Sequence, residues 1–74
     1  MNGYYVYILE CSDKTLYTGW TSNLEKRIQE HNDGKNGAKY TRTRRPARLV
    51  YTEACSCLSE ALKREARIRK LSHW

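Results

Sequence analysis

The sequence predicts an α+β fold: a small three-stranded antiparallel sheet flanked by helices, in the order ββαβα. Three observations lead there. Two short aromatic and β-branched runs are joined by a tight polar turn, two stretches carry apolar residues at helical spacing beside capping signals, and a third β-rich run lies between them. The length of 74 residues sets one domain, spanning 1–74. A chain this short buries only about 60% of its extended surface, so one sheet and two or three helices are near its limit.

Tyr4 to Cys11 is apolar, aromatic and β-branched without clean alternation, which reads as a strand covered on both faces. Ser12-Asp13-Lys14 is turn chemistry, and Thr15 to Trp20 returns as a second strand. Ser22-Asn23-Leu24-Glu25 has the form of a capping box and opens a helix whose apolar face holds Leu24, Ile28 and His31. Asn32-Asp33-Gly34 ends that helix. Residues 35–48 read as irregular or briefly helical, with Pro46 near their end. Arg48 to Cys55 is the third strand, and Ser59 is the expected cap of a last helix from Glu60 to about Leu71, rich in strong helix formers.

Composition narrows the function. Fourteen Lys and Arg face eight Asp and Glu, a net charge of +6, and such an excess suits polyanions: nucleic acid first, an anionic membrane surface second. No apolar run approaches the roughly 20 residues that span a bilayer, and Met1-Asn2-Gly3-Tyr4 lacks the features of a signal peptide. Cys11, Cys55 and Cys57 are odd in number and have no C-x-x-C spacing. A cytoplasmic protein with neither disulfide nor zinc is the expectation.

Several side chains sit where packing alone would not put them. On the last helix, Glu65 falls within the arc of Leu58, Ala61, Leu62 and Ile68, whereas Glu60 projects to the opposite side. A carboxylate aimed at a core needs a cation, a hydrogen-bond network or a metal. An ion pair with Arg69 or another arginine would meet that need, and so would a metal. On the first helix, Arg27 and His31 are four apart beside the Leu24/Ile28 stripe. They suit a snorkelling arginine and a core histidine, or a phosphate clamp with a hydrogen-bond or proton donor beside it. In the hairpin, a three-residue turn pairs Cys11 with Thr15 and Tyr7 with Gly19, so that Tyr7, Tyr17 and Gly19 line one face, whereas a two-residue turn would put the two tyrosines on opposite faces. Gly19 then leaves an opening over Tyr7; the plain alternative is core packing.

From Lys35 to Arg48 the chain carries basic residues and no acid, with Tyr40, Thr41 and Thr43 interleaved. Lys39, Tyr40, Arg42, Arg44 and Arg45 are the expected nucleic-acid contacts, since hydroxyls and an aromatic among arginines suit phosphates and base stacking.

Together these pieces resemble the GIY-YIG nuclease superfamily, and its small stand-alone bacterial members in particular. Tyr5-Val6-Tyr7 stands at the first motif and Tyr17-Thr18-Gly19 at the second. Arg27 and His31 follow at the family's spacing, and Glu65 matches its late helical glutamate. Leu16-Tyr17-Thr18-Gly19-Trp20-Thr21 and Gly37-Ala38-Lys39-Tyr40-Thr41 look like the stand-alone subfamily. The likeness covers nearly the whole chain. Tyr5 replaces the first motif's glycine and Thr18 the second motif's isoleucine. With Trp74 following closely on the last helix, the expectation is no further DNA-binding or second catalytic domain of the kind many relatives carry.

The resemblance implies a GIY-YIG-like fold and phosphodiester hydrolysis with one Mg²⁺ or Mn²⁺ ion, on which Glu65 is the sole protein carboxylate. The implied catalytic set is Tyr7, Tyr17, Arg27, His31 and Glu65. Arg27 would hold the phosphate and Tyr17 would orient water or phosphate. Either Tyr7 activates the water or His31 relays its proton. The expected partner is nucleic acid, DNA by preference, with no membrane and no obligate protein partner. A nucleic-acid-binding module without catalysis, and an adaptor for an acidic protein, are the competing functions.

Overall fold

The structure, a computed structural model, describes residues 3–33 and 44–71. Its elements are β1 (Tyr4–Glu10), β2 (Leu16–Thr21), α1 (Leu24–Asp33), β3 (Arg48–Cys55) and α2 (Leu58–Leu71). This is the expected ββαβα order, and the three strands form one antiparallel sheet ordered β2–β1–β3.

The central place of β1 explains its composition. One face of the strand sends Val6 into a core with Cys55, Ala61 and Ile68, joined by Tyr4, Ile8 and Trp20. The other sends Tyr7 and Leu9, with Cys11 just past the strand's end, into a second core with Ala47, Tyr17, Leu24, Ile28 and Leu49. Helix α2 therefore covers the first face and α1 the second. Because successive side chains on a strand point to opposite faces, a strand covered on both sides cannot spare alternate positions for polar residues.

Strand β3 pairs with β1 through a bulge. Ile8 faces Tyr51 but Leu9 faces Leu49, so Val50 is the extra residue. The bulge resets the alternation and returns Leu49 to the Tyr7 side of the sheet.

The hairpin has the register expected of a three-residue turn, with Tyr7 opposite Gly19 and Tyr17 opposite Leu9. The Cys11 N–H donates to Thr15 O at 2.9 Å, and Lys14 closes the loop at φ 71°. A left-handed non-glycine residue costs about 1–2 kcal/mol. Asp13 offsets part of that cost by accepting both the Thr15 N–H at 3.2 Å and the Thr15 hydroxyl at 2.6 Å.

Both helix caps differ from expectation. Helix α1 is capped by Asn23, not Ser22: Asn23 O accepts the first helical bond from the Arg27 N–H, and its side-chain oxygen takes the Lys26 N–H at 3.2 Å. In α2 the first helical bond runs from the Ala61 N–H to Cys57 O. Glu60 there reaches back to the Ser56 N–H at 2.7 Å and the Ser56 hydroxyl at 2.8 Å, so its carboxylate caps the helix instead of idling in solvent. In α1 two neighbouring residues can both cap and the backbone path into the helix decides between them, a path the sequence does not record. In α2 the helix begins at Leu58, so the expected cap Ser59 lies inside its first turn.

The segment from Arg44 to Ala47, with a cis Arg45–Pro46 bond, ties the hairpin to the end of α1. The Ser12 N–H donates to Arg44 O at 3.0 Å, and the Arg44 side chain pairs with Asp13 at 3.0 Å. Asn32 clasps Ala47 from both sides: its Nδ2 donates to Ala47 O at 2.9 Å and its Oδ1 accepts the Ala47 N–H at 2.7 Å.

Candidate active site

The site is assembled around Tyr7. Its side chain is only 1% exposed, and its hydroxyl lies 2.9 Å from His31 Nε2. His31 is completely buried, on the inner face of α1 with Leu24 and Ile28. Tyr17, half-buried on β2, completes a trio of rings, with centroids 6.4 Å from Tyr7 and 5.0 Å from His31. Ring contacts of this tilted or edge-on kind are attractive beyond their burial. The Arg27 guanidinium, one turn before His31, lies within hydrogen-bonding reach of the Tyr7 hydroxyl and pairs with Glu30 at 3.0 Å.

Gly19 is what lets the Tyr7 ring occupy its place. A Cβ on that residue would stand 2.6 Å from the Tyr7 hydroxyl oxygen and 2.8 Å from the ring carbon bearing it. The gap expected over Tyr7 is therefore filled by the phenol itself, and the glycine serves space rather than backbone conformation, since no glycine among the described residues has positive φ.

Burial sets the charge states. It pushes the Tyr7 phenol up to about 12, with the Arg27 hydrogen bond pulling the other way. It also pushes His31 down to about 4, helped by the Arg27 and Arg45 charges. At neutral pH the pair is a neutral phenol beside a neutral imidazole.

Glu65 comes from the other layer. Helix α2 buries Ala61 and Ile68 and leaves Leu58 and Leu62 about 40% exposed, so its contact face is narrower than the expected arc. Glu65 sits at the margin of that face, not its middle, with its side chain 16% exposed. Arg64 leans from one flank toward β3 and forms a two-pronged bond with Glu53 at 2.6 and 3.0 Å. On the other flank Arg69 Nη2 donates to Glu65 Oε2 and, at 3.2 Å, to Thr18 O on β2. The ion pair with Arg69 anticipated as one alternative is thus present, and it holds Glu65 at the β2 edge. From there its charge raises the pKa of the Tyr7 phenol slightly.

The expected nucleic-acid contacts divide. Lys39, Tyr40 and Arg42 lie outside the described residues. Arg44 pairs with Asp13, and Arg45 donates to His31 O at 2.6 Å and Glu30 O at 3.4 Å, so both make internal bonds. Arg45 thereby meets carbonyls in the last turn of α1, where a cation is favourable. Asn32 and Glu30 were not singled out by the sequence. Glu30 carried a weak signal in its spacing three residues after Arg27, whereas nothing local marks Asn32.

Residues 3–73 match the GIY-YIG catalytic domain. The chain belongs to the GIY-YIG family. A UPF0213 protein of Syntrophus aciditrophicus is 68% identical over 72 residues, covering 97% of this chain and 83% of its own length. One of Staphylococcus haemolyticus is 57% identical over 72 residues, covering 97% and 87%. The solution NMR structure of a UPF0213 protein from Bacillus halodurans is similar with a TM-score of 0.57 at 49% identity, covering 99% of this chain and 76% of that one. That of the E. faecalis protein EF2693 gives 0.61 at 43% identity, covering 92% and 72%.

The two GIY-YIG motifs prove to be facing strands, the last residue of Tyr5-Val6-Tyr7 lying opposite the last of Tyr17-Thr18-Gly19. The Thr18 that departs from the GIY-YIG pattern is buried opposite Ile8, on the α2 side of the sheet. The substitution leaves the Tyr7 face untouched.

The described residues hold no group of three or more His, Cys, Asp and Glu that could cage a metal. A single carboxylate at the β2 edge, with water and phosphate oxygens for the rest, is a donor set suited to Mg²⁺ or Mn²⁺, ions that keep several waters. It does not suit the dense nitrogen and sulfur shell of a structural zinc. No helix among the described residues is long and apolar enough to cross a membrane, and Cys11, Cys55 and Cys57 are all free thiols.

Proposed function

We propose that this GIY-YIG domain is a metal-dependent nuclease that hydrolyses nucleic-acid phosphodiesters, DNA by preference, in the cytoplasm. The observation that carries the reading is the cluster on Tyr7, a hydrogen-bonded histidine, an arginine within reach and a second phenol, with the Glu65 carboxylate held at the neighbouring β2 edge. Core packing would account for the two tyrosines. It does not call for an arginine beside a buried hydroxyl.

In this reading Arg27 holds the scissile phosphate, where a preorganised donor contributes on the order of 3 kcal/mol to the transition state. Glu65 would hold a Mg²⁺ or Mn²⁺ ion, which supplies charge stabilisation for the leaving oxygen. A phenol at about 12 is almost never ionised at pH 7, so Tyr7 serves poorly as a free phenolate base. The 2.9 Å bond to His31 offers another route. As the attacking water loses its proton to the Tyr7 oxygen, the Tyr7 proton passes to His31 Nε2. The neutral ring offers a lone pair but, with its pKa held at about 4, is a weak acceptor that holds the proton only transiently. Tyr7 and His31 thus act together. Tyr17, the more exposed phenol, orients the water or the phosphate.

Plasmid nicking in Mn²⁺ or Mg²⁺ tests the proposal. Glu65→Ala, Tyr7→Phe and Arg27→Ala should each lose at least about 100-fold, the scale of removing one well-placed catalytic group, and Glu60→Ala should nick normally. Equal activity in wild type and Glu65→Ala defeats it. The basic charge of +6 favours one second reading, a nucleic-acid-binding module without catalysis. That reading expects binding that falls steeply with salt and no cleavage in either metal.

A further inference from the structure

We infer that Arg69 is the resident counter-cation of Glu65 and that a divalent ion binds by displacing it. The inference rests on the reading of Glu65 as the metal-holding carboxylate, and it adds a residue which that reading leaves without a role.

Arg69 stands one turn after Glu65 on α2, and a single nitrogen, Nη2, meets both Glu65 Oε2 and Thr18 O. The exposures are unequal. The Glu65 side chain is 16% exposed and that of Arg69 60%. The carboxylate is therefore largely covered by protein, while the guanidinium caps it from the solvent side and has open water to retreat into. A carboxylate held this far out of water needs a cation, and the nearby Arg64 is already committed to Glu53 on the opposite flank of the helix. Arg69 meets that need in the absence of metal.

A metal ion arriving at Glu65 meets a carboxylate with one oxygen, Oε2, already held by Arg69. It also meets a positive charge a few ångströms away. Both effects oppose binding: the ion pair must break, and two cations repel at close range with only partial screening. The Thr18 carbonyl gives the displaced guanidinium a fixed alternative partner on β2, between Tyr17 and Gly19. Arg69 can then stay beside the site as the metal enters. The device keeps Glu65 oriented without a metal and sets the concentration at which an ion takes over.

The opposite role is equally definite. If Arg69 only positions Glu65, its loss lets the carboxylate wander and weakens metal binding. Mn²⁺ titration of the intact chain, followed by the electron paramagnetic resonance signal of free Mn²⁺, separates the two without reference to activity. Arg69→Met keeps length and packing but removes the charge, and should bind Mn²⁺ about three- to tenfold more tightly at low ionic strength. The gain should shrink as salt is raised. Arg69→Lys, which keeps the charge, should stay within about twofold of wild type. Unchanged or weaker Mn²⁺ binding by Arg69→Met overturns the inference and leaves the metal reading of Glu65 standing. Glu65→Gln should abolish the site with or without Arg69→Met. Wild-type Mn²⁺ affinity in Glu65→Gln would overturn the metal reading and this inference with it.

Discussion

Gly19→Ala is a single-methyl change whose outcome the geometry fixes. The added Cβ would lie 2.6 Å from the Tyr7 hydroxyl oxygen, 2.8 Å from its ring carbon and 3.2 Å from Tyr17 Cε2. Ordinary van der Waals contact begins near 3.4 Å, so the phenol would have to withdraw by several tenths of an ångström. A tyrosine end in solvent would simply swing aside. Tyr7 is 1% exposed and bonded to His31 at 2.9 Å, so its movement stretches a buried hydrogen bond and presses on the Tyr17 ring.

Overpacking of this kind costs about 1–3 kcal/mol, and weakening the hydrogen bond adds to it. Against this, alanine in place of glycine in a strand recovers about 0.5–1 kcal/mol of backbone entropy. The net expectation is a loss of about 1–3 kcal/mol. For a domain of this size that lowers Tm by roughly 4–8 °C per kcal/mol. Urea denaturation of wild type, Gly19→Ala, Tyr7→Phe and the double variant tests the cause. Tyr7→Phe removes the oxygen of the 2.6 Å contact, so Gly19→Ala should cost less in that background, by at least about 0.5 kcal/mol, a coupling typical of residues in contact. A neutral or stabilising Gly19→Ala, or the same cost with and without the hydroxyl, would refute the steric reasoning.

Two further outcomes follow from the same structure. His31 is held near 4 in the fold against 6.5 when exposed. Between those values the unfolded chain binds the extra proton, so stability rises with pH across that window, by up to about 3 kcal/mol, and is lost on acidification from pH 7 toward 4. Urea midpoints at pH 5 and 7 should differ more for wild type than for His31→Gln, and equal pH dependence in the two would remove the histidine as the cause. Asn32→Ala leaves the N–H and C=O of buried Ala47 without their 2.7 and 2.9 Å partners and should cost about 2 kcal/mol, with faster hydrogen exchange at the Ala47 amide; an unchanged exchange rate there would show that the clasp is not what protects it.

The hairpin register was legible only for a three-residue turn, in which Cys11 to Thr15 sets Tyr7 against Gly19. A two-residue turn, which the sequence also allowed, would have split the two tyrosines, and the backbone of the turn decided between them. The two-sided core of β1 was legible from its unbroken apolar run. Periodicity also placed His31 on the inner face of α1, and its full burial agrees. On α2 the same reasoning was too generous, because an apolar arc names the residues that can be buried, and the width of the sheet beneath decides how many are. Here β3 is mostly exposed and the helix rests on Ala61 and Ile68 alone. Glu60 as cap and Asn32 as clasp were not legible, since each depends on where a distant or turning backbone happens to run. The fates of Arg44 and Arg45 were hidden for the same reason. A basic stretch shows positive charge, but whether an arginine faces solvent or a carbonyl of α1 is settled by the fold.

The deeper consequence is that this domain cannot separate its core from its chemistry. In a larger protein a reactive tyrosine and histidine would lie in a cleft built by other residues. Here Tyr7 and His31 are among the largest fully buried side chains among the described residues, so the groups proposed to move a proton are also the groups that hold α1 to the sheet. Activity lost on changing them is therefore ambiguous by itself. Arg27 and Glu65 differ, since each retains some exposure and its ion-pair partner, Glu30 or Arg69, lies on its own helix. Their removal should leave the fold nearly intact, so a large loss of cleavage in Arg27→Ala or Glu65→Ala, at unchanged Tm, is the result that assigns chemistry rather than architecture. If those variants instead unfolded along with Tyr7→Phe, the cluster would be a core that resembles a site.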